Sequence, residues 1–206
     1  MSARAAGTWA ALKEVAELAK AATEPVSVPA ASPAQVPALG GSGAARILVA
    51  GIGHAARGDY AFGKEIIRES LQRQWPDGVR LVDFGIRRYD LAFALAAGFD
   101  AVILVDAAPR GQEPGTLYLV EVEQEQVALA RTRPSRSQAL DPIVAIRLAN
   151  AIGQSTSRIY IVACEPAVLK PQEGQMGLSG VVEAAVLPAV DLIQSVVQQL
   201  LRGRGV

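Results

Sequence analysis

Residues 46–63 read RILVAGIGHAARGDYAFG, and this stretch predicts the fold of the chain. An uninterrupted apolar run from Ile47 to Ala50 ends in Gly51-Ile52-Gly53, and a helical pattern opens at Phe62. An aliphatic run closed by glycines is typical of a parallel strand that is buried on both faces. Ligands of α/β sheets bind beyond the carboxyl ends of such strands, so we expect a functional site at this loop.

Composition and charge narrow the class of protein. The chain has 206 residues, half of them hydrophobic, which suits one folded domain with an appendage. Its 20 basic side chains balance its 20 acidic ones, so no net charge would draw it to nucleic acid or to an anionic membrane. With one cysteine, Cys164, and one histidine, the chain has neither a disulfide framework nor the usual zinc-binding spacings. We therefore expect a cytoplasmic protein.

The start of the chain differs from the rest. Within residues 1–23, the apolar side chains of 8–23 recur at helical spacing between charged ones, which predicts an amphipathic helix. This helix would lie either on the domain's own surface or on a protein partner. Residues 24–44 are rich in Pro, Ala, Ser and Gly and predict an extended tether, so the folded domain should occupy residues 45–206. No uninterrupted apolar window reaches the roughly 18 residues of a membrane span, so we expect no membrane insertion.

Strands alternate with helices along the rest of the chain. Apolar runs predict strands at 79–84, 101–105 and 158–163, while an alternating pattern at 116–123 predicts a half-exposed edge strand. Asp141 before Pro142 is a helix start signal. The helix predicted at 87–97 should bury an apolar face, made of Leu91, Phe93, Ala94 and Leu95. The pattern predicts a three-layer α/β sandwich with helices on both faces of a central, mostly parallel sheet of about five strands, one edge strand being antiparallel.

A series of short motifs, taken in chain order, resembles one known family. The motifs are Gly51, Gly53, His54, Asp59, Tyr60 and Gly63; Asp83-Phe84-Gly85-Ile86; Asp106-Ala107; Pro114-Gly115-Thr116; Leu140-Asp141-Pro142; Glu165-Pro166; and Gly177-Leu178-Ser179. Their order and spacing over residues 46–202 resemble the hydrogenase maturation endopeptidases. Those enzymes trim the C-terminal extension from the large subunit of nickel-iron hydrogenases after nickel is loaded. The resemblance implies that subunit as the partner.

The resemblance also implies which side chains meet the nickel of the precursor. Family members use an acid in the first loop, the aspartate after the third strand and a histidine before the Leu-Asp-Pro helix. Here Asp106 is that aspartate, whereas Tyr60 replaces the acid and Gln138 the histidine. A phenol with a pKa of about 10 and an amide are weak donors to a divalent metal at neutral pH. The resemblance thus implies Asp106 as the catalytic, metal-contacting residue, with no intrinsic cofactor and the nickel of the substrate as the metal.

Two interpretations of the acids near these strand ends stay open. His54, Asp59 and Asp106 follow neighbouring strands and could together supply one imidazole and two carboxylates to a borderline metal. Alternatively, Asp59 accepts backbone hydrogen bonds within its own loop and His54 faces solvent. Asp106 could likewise cap a following turn or pair with Arg57.

Three further features have simple structural explanations. Cys164 follows an aliphatic strand and is expected to be a small buried apolar residue rather than a nucleophile. Arg131, Arg133 and Arg136 either belong to a solvated, flexible loop or bind an acidic segment of a partner. Gly51-Ile52-Gly53 resembles the start of a dinucleotide-binding fingerprint, but the third glycine is misplaced.

Two functions therefore fit the sequence. The first is an endopeptidase that recognises nickel in the large subunit of a nickel-iron hydrogenase and cuts on its C-terminal side. The second is a catalytically inactive relative that binds the same subunit as a chaperone or structural component, attached through its N-terminal helix. A large subunit with no residues beyond its last cysteine motif would offer nothing to cut, which distinguishes the two.

Overall fold

The structure, a computed structural model, describes residues 45–54, 58–123, 127, 142–153, 158–168 and 177–202. The predicted N-terminal helix and tether lie outside the described residues, so the division into 1–23, 24–44 and 45–206 stays a prediction. Several residues named from the sequence also lie outside them: Arg57, Arg131, Arg133, Arg136, Gln138 and Asp141.

Helices and strands alternate within the described residues, as the sequence pattern predicts. In chain order they are β1 (Ile47–Ile52), α1 (Phe62–Ser70), β2 (Val79–Gly85), α2 (Arg88–Ala96), β3 (Ala101–Ala107), β4 (Leu117–Val122), α3 (Pro142–Ile152), β5 (Arg158–Cys164), α4 (Gly180–Ala184) and α5 (Val186–Leu201). A short 3-10 turn, Gly58–Ala61, precedes α1. The helix start predicted at Pro142 is confirmed.

The strands of the described residues form one five-stranded sheet in the order β2-β1-β3-β5-β4. Neighbours are parallel except at one edge, where β4 runs antiparallel to β5 with Leu117 opposite Cys164. The predicted fold class, including its antiparallel edge strand, is confirmed. From β1 the chain first adds β2 on one side and then β3 on the other. The carboxyl ends of β1 and β3 therefore flank the switch point, where α/β sheets bind ligands.

Two apolar layers enclose this sheet. Side chains alternate between its faces along each strand, so Ile47 and Val49 pack under α1 and α5, while Leu48 and Ala50 pack under α2 and α3. Every side chain of β1 and of β3 is buried, as expected for strands covered on both faces. The same alternation carries Asp106 to the α2 and α3 face and Cys164 to the opposite one.

The prediction for helix α2 was wrong at one position. Leu91, Ala92 and Leu95 are buried, but Phe93 is 61% exposed and Tyr89 is 65% exposed. The helix packs on the sheet through the side that carries 91, 92 and 95, and this helical phase turns Phe93 outward. Two aromatic rings therefore lie on the surface one turn apart.

The segment Gly180–Leu201 is the one helical stretch of the described residues that is long and apolar enough, by length and composition, to cross a membrane. Its apolar character has a use inside the domain, because Ala189, Val190, Ile193, Val196 and Val197 are all buried in the layer beneath α5. A core helix of this kind passes the same test of composition. The cytoplasmic location stays a prediction.

Candidate functional site at the switch point

Glycines of the opening motif bring the first loop directly onto the ends of β1 and β3. A Cβ on Gly63 would lie 2.3 Å from the carbonyl oxygen of Ile52 and 2.5 Å from that of Val105. Gly53 has a φ of +124°, and a Cβ there would lie 2.2 Å from the carbonyl oxygen of Tyr60. Since protein backbone occupies the space that these glycines leave, their role is close packing. Backbone packing therefore explains the glycines of Gly51-Ile52-Gly53 without a dinucleotide ligand.

Asp59 joins three separate backbone segments. It is fully buried, and its Oδ2 accepts hydrogen bonds from the backbone N–H groups of Ala167 at 2.8 Å and Val168 at 2.7 Å. Its Oδ1 accepts from the N–H of Ser179 at 2.7 Å, and the Ser179 hydroxyl donates to Oδ2 at 3.0 Å. Both ends of the connection between β5 and α4 are thus bonded to one carboxylate. Asp59 does accept backbone hydrogen bonds, but from distant loops rather than from its own.

Glu165 has a similar role, which was not predicted from the sequence. It follows β5, is 4% exposed, and accepts hydrogen bonds from the backbone N–H groups of Arg110 and Gly111. The Tyr118 hydroxyl also donates to its Oε2 at 2.6 Å. Burial raises the pKa of Tyr118, and this hydrogen bond to Glu165 raises it further. The glutamate holds the loop that follows β3. The sequence signal that indicates this role is an acidic residue directly after an aliphatic strand.

Asp106 is buried near the carboxyl end of β3, at the same end of the sheet, but makes few hydrogen bonds. Among the described residues its carboxylate accepts one hydrogen bond, from the N–H of Ala107 to Oδ1 at 2.8 Å. Burial raises the pKa of Asp106 well above the usual range, against a smaller lowering by that hydrogen bond. A Cβ on Gly53 would lie 3.3 Å from Oδ1, so this glycine keeps the end of β1 close to the carboxylate. Of the turn cap predicted for Asp106, the described residues show this one hydrogen bond, from the N–H of Ala107.

His54 lies on the β2 side of the switch point. It lines a cleft of about 380 Å³ together with Gly53 and the corner after β2, Asp83-Phe84-Gly85-Ile86-Arg87. The corner is bonded to itself, because Asp83 Oδ1 accepts from the Gly85 N–H and Arg87 Nε donates to the Phe84 carbonyl. The backbone N–H of His54 donates to the Tyr60 carbonyl at 3.0 Å, which fixes Tyr60 beside the cleft.

Cys164 is unsuited to nucleophilic catalysis. The thiol is buried and faces the layer beneath α5, away from the face that carries Asp106. Burial, with the charges of Asp59 and Glu165 as smaller causes, raises the pKa of Cys164 to about 12. The thiolate is therefore scarce at neutral pH. The geometry is that of a small buried apolar residue, as the sequence indicates.

The described part of the chain holds no group of three His, Cys, Asp or Glu side chains that could bind a metal ion. His54, Asp59 and Asp106 thus do not assemble as the three-ligand set considered above. The physical reason lies in Asp59, whose two oxygens bond to amides of other loops. Of the three, Asp106 is the acid whose oxygens stay least engaged by the fold.

Known proteins are similar to this chain both in sequence and in fold. The family model for hydrogenase maturation proteases, HycI, matches residues 66–196. The hydrogenase expression/formation protein HupD of Bradyrhizobium diazoefficiens is 30% identical over 148 residues, 71% of this chain and 75% of that protein. The solved structure of the hydrogenase maturating endopeptidase HybD from E. coli is similar with a TM-score of 0.60 and 27% identity, covering 75% of this chain and 93% of that one. The hydrogenase 2 maturation peptidase from a Thaumarchaeota archaeon is similar with a TM-score of 0.57 and 29% identity, covering 75% and 99%. This chain belongs to the hydrogenase maturation protease family.

Proposed function

We propose that this protein is an endopeptidase that recognises nickel in the immature large subunit of a nickel-iron hydrogenase and cuts the chain on the C-terminal side. The observation that carries the proposal is the state of Asp106. It is a buried carboxylate at the switch point that accepts a single hydrogen bond among the described residues. The other two buried acids of the described residues, Asp59 and Glu165, accept hydrogen bonds that hold loops in place.

The environment of Asp106 suits a carboxylate that meets a cation only when substrate arrives. Burial raises its pKa and so, when no cation is beside it, favours the protonated, uncharged form. The divalent nickel of the substrate would displace this proton, since a cation stabilises the carboxylate form. Recognition should therefore strengthen with rising pH until Asp106 is ionised without help.

The loops at this end of the sheet would position the peptide of the large subunit that is cut. Asp59 holds the ends of the connection between β5 and α4, and Glu165 holds the loop after β3. Loops fixed at the rim of a switch point can place a peptide bond in one orientation, and orientation supplies a large share of the rate in many enzymes. Tyr60, at the position of the family's first-loop acid, lies beside this rim with its carbonyl bonded to His54.

Cleavage of a nickel-loaded precursor tests the proposal directly. The full chain is incubated with the precursor large subunit from its native host, and the intact mass of that subunit is followed. We expect loss of a C-terminal peptide with the parent chain and no loss with Asp106→Asn. Asp191→Asn is the matched control, because that exposed aspartate pairs with Arg73 on the α1 and α5 side of the domain.

Each contrary result has a defined meaning. A complex that forms without any change of mass would identify an inactive binding partner, which is the alternative function. Cleavage by Asp106→Asn at the parent rate would remove Asp106 from the site. A circular dichroism melt of each variant shows that lost cleavage is not lost folding.

A further inference from the structure

The outer side of α2 and the turn before it carry exposed apolar side chains, in the part of the chain that the structure describes. Ile86, Tyr89 and Phe93 are exposed and follow one another at spacings of three and four residues. Tyr89 and Phe93, four residues apart, lie on one side of α2, and Ile86 lies in the turn before Arg88; these three exposed side chains are here named the α2 stripe. The other large exposed apolar side chains of the described residues, such as Leu71 and Leu187, lie on other elements. Exposed apolar side chains that are grouped in this way, rather than scattered singly, are typical of interaction surfaces.

The N-terminal extension joins the domain beside the far end of this helix. Arg46 donates its backbone N–H to Asp100 Oδ2 at 2.8 Å and its Nη1 to the Gly98 carbonyl at 3.4 Å. Its guanidinium also lies over the ring of Phe99, 5.0 Å from the centroid. Gly98 to Asp100 directly follow α2, whose C-cap is Ala97. The residues before Ala45 therefore start from the end of the helix that carries the stripe.

The extension has an apolar face to match. Trp9, Leu12, Val15 and Ala16 recur at helical spacing, with charged residues between them. We propose that residues 8–23 of this chain bind the α2 stripe of the same molecule as an amphipathic helix. Connectivity selects the occupant, since the extension joins the domain beside one end of the helix that carries these exposed side chains. This inference does not depend on the peptidase function.

The connection is long enough for such binding. The Pro-rich residues 24–44 are predicted to be an extended tether, which at about 3.1 Å per residue reaches up to about 65 Å, whereas α2, with 9 residues, is about 14 Å long. A tether that reaches the α2 stripe makes the binding intramolecular, and the resulting effective concentration permits a modest apolar contact to persist. Ile86 belongs both to the stripe and to the cleft beside His54. The bound segment would therefore border the opening of that cleft.

Trp9 provides the test, because Trp9 and Trp75 are the two tryptophans of the chain. In the full chain with Trp75→Phe, the fluorescence of Trp9 reports its exposure to acrylamide. We expect quenching several-fold weaker than in a free peptide of residues 1–23. The double variant Tyr89→Ser, Phe93→Ser should restore quenching to the level of the peptide.

Two further variants make the result specific. Leu187→Ser removes a comparably exposed apolar side chain from α5 and should leave the quenching of Trp9 unchanged. Leu12→Ser alters only the extension and should raise quenching as the stripe variants do. Circular dichroism melts should match among the variants made in the Trp75→Phe background, since each further changed side chain is exposed or precedes the domain.

The proposal is overturned if Trp9 in the full chain is quenched as strongly as in the peptide. It is also overturned if Leu187→Ser releases Trp9 to the same extent as the stripe variants. Protection of Trp9 that grows with protein concentration would place the segment on a second copy, and this too would contradict binding within one molecule.

Discussion

Asp59 and Asp106 lie at the same edge of the sheet and are both buried, yet their surroundings differ. Asp59 accepts three backbone N–H groups and a hydroxyl from the two ends of the connection between β5 and α4, whereas Asp106, among the described residues, accepts one N–H from its own neighbour. Burial without full hydrogen bonding is unfavourable for a carboxylate, and the protein retains it at one position. Burial alone therefore does not distinguish these two acids. They differ in the number of hydrogen bonds that their oxygens accept from the described residues.

The largest expected effect is on stability, from Asp59→Ala. The substitution leaves the N–H groups of Ala167, Val168 and Ser179 without their acceptor, at about 1–3 kcal/mol for each group that stays buried. Urea unfolding should show a loss of several kcal/mol. Asp90→Asn is the control, since that exposed side chain has only a 3.7 Å contact with Arg87 and should change stability by less than about 1 kcal/mol. Equal effects of both variants would contradict the anchoring role.

A smaller loss is expected from Glu165→Gln. The amide keeps one acceptor oxygen, so some of the bonds to Arg110, Gly111 and the Tyr118 hydroxyl survive, and we expect a loss of about 1–2 kcal/mol. The pKa of Tyr118 should fall, because the neutral amide no longer opposes the phenolate charge. Ultraviolet titration of the phenol measures this shift. An unchanged titration would mean that burial alone sets it.

Asp106→Asn should have a small stability effect of the opposite sign. Because burial raises the folded-state pKa of Asp106, folding retains a proton that the unfolded chain releases above about pH 4. The parent chain therefore loses stability as the pH rises from the unfolded pKa to the folded one. The variant should melt higher than the parent at about pH 8 and equally at about pH 4. A lower melting temperature at both pH values would show that Asp106 is a structural anchor like Asp59.

The smallest effect concerns Cys164, which the contrast predicts to be chemically silent. Its pKa of about 12 leaves little thiolate at neutral pH, so iodoacetamide should not label the folded chain. Labelling should appear in urea, together with unfolding. Rapid labelling under native conditions would contradict the burial of this thiol.

Local patterns were sufficient to predict much of the fold. The apolar runs of β1 and β3, the alternation of β4 and the proline that opens α3 were all interpreted correctly, because each depends on neighbours in sequence. The position of Asp106 at a buried strand end followed from the same reasoning. The wrong face assigned to Phe93 shows the limit, since helical phase on a sheet depends on what the helix packs against.

The chain itself determined the order of strands and helices, the glycines at close backbone contacts and the acids at strand ends. Tertiary structure alone decided which hydrogen-bond partners each of those acids has among the described residues. Asp59 meets partners that lie 108, 109 and 120 residues away, and Glu165 meets backbone groups 54 and 55 residues away. Such bonds exist only after loops from different strands converge, because the free energy of a buried carboxylate depends on the groups that surround it.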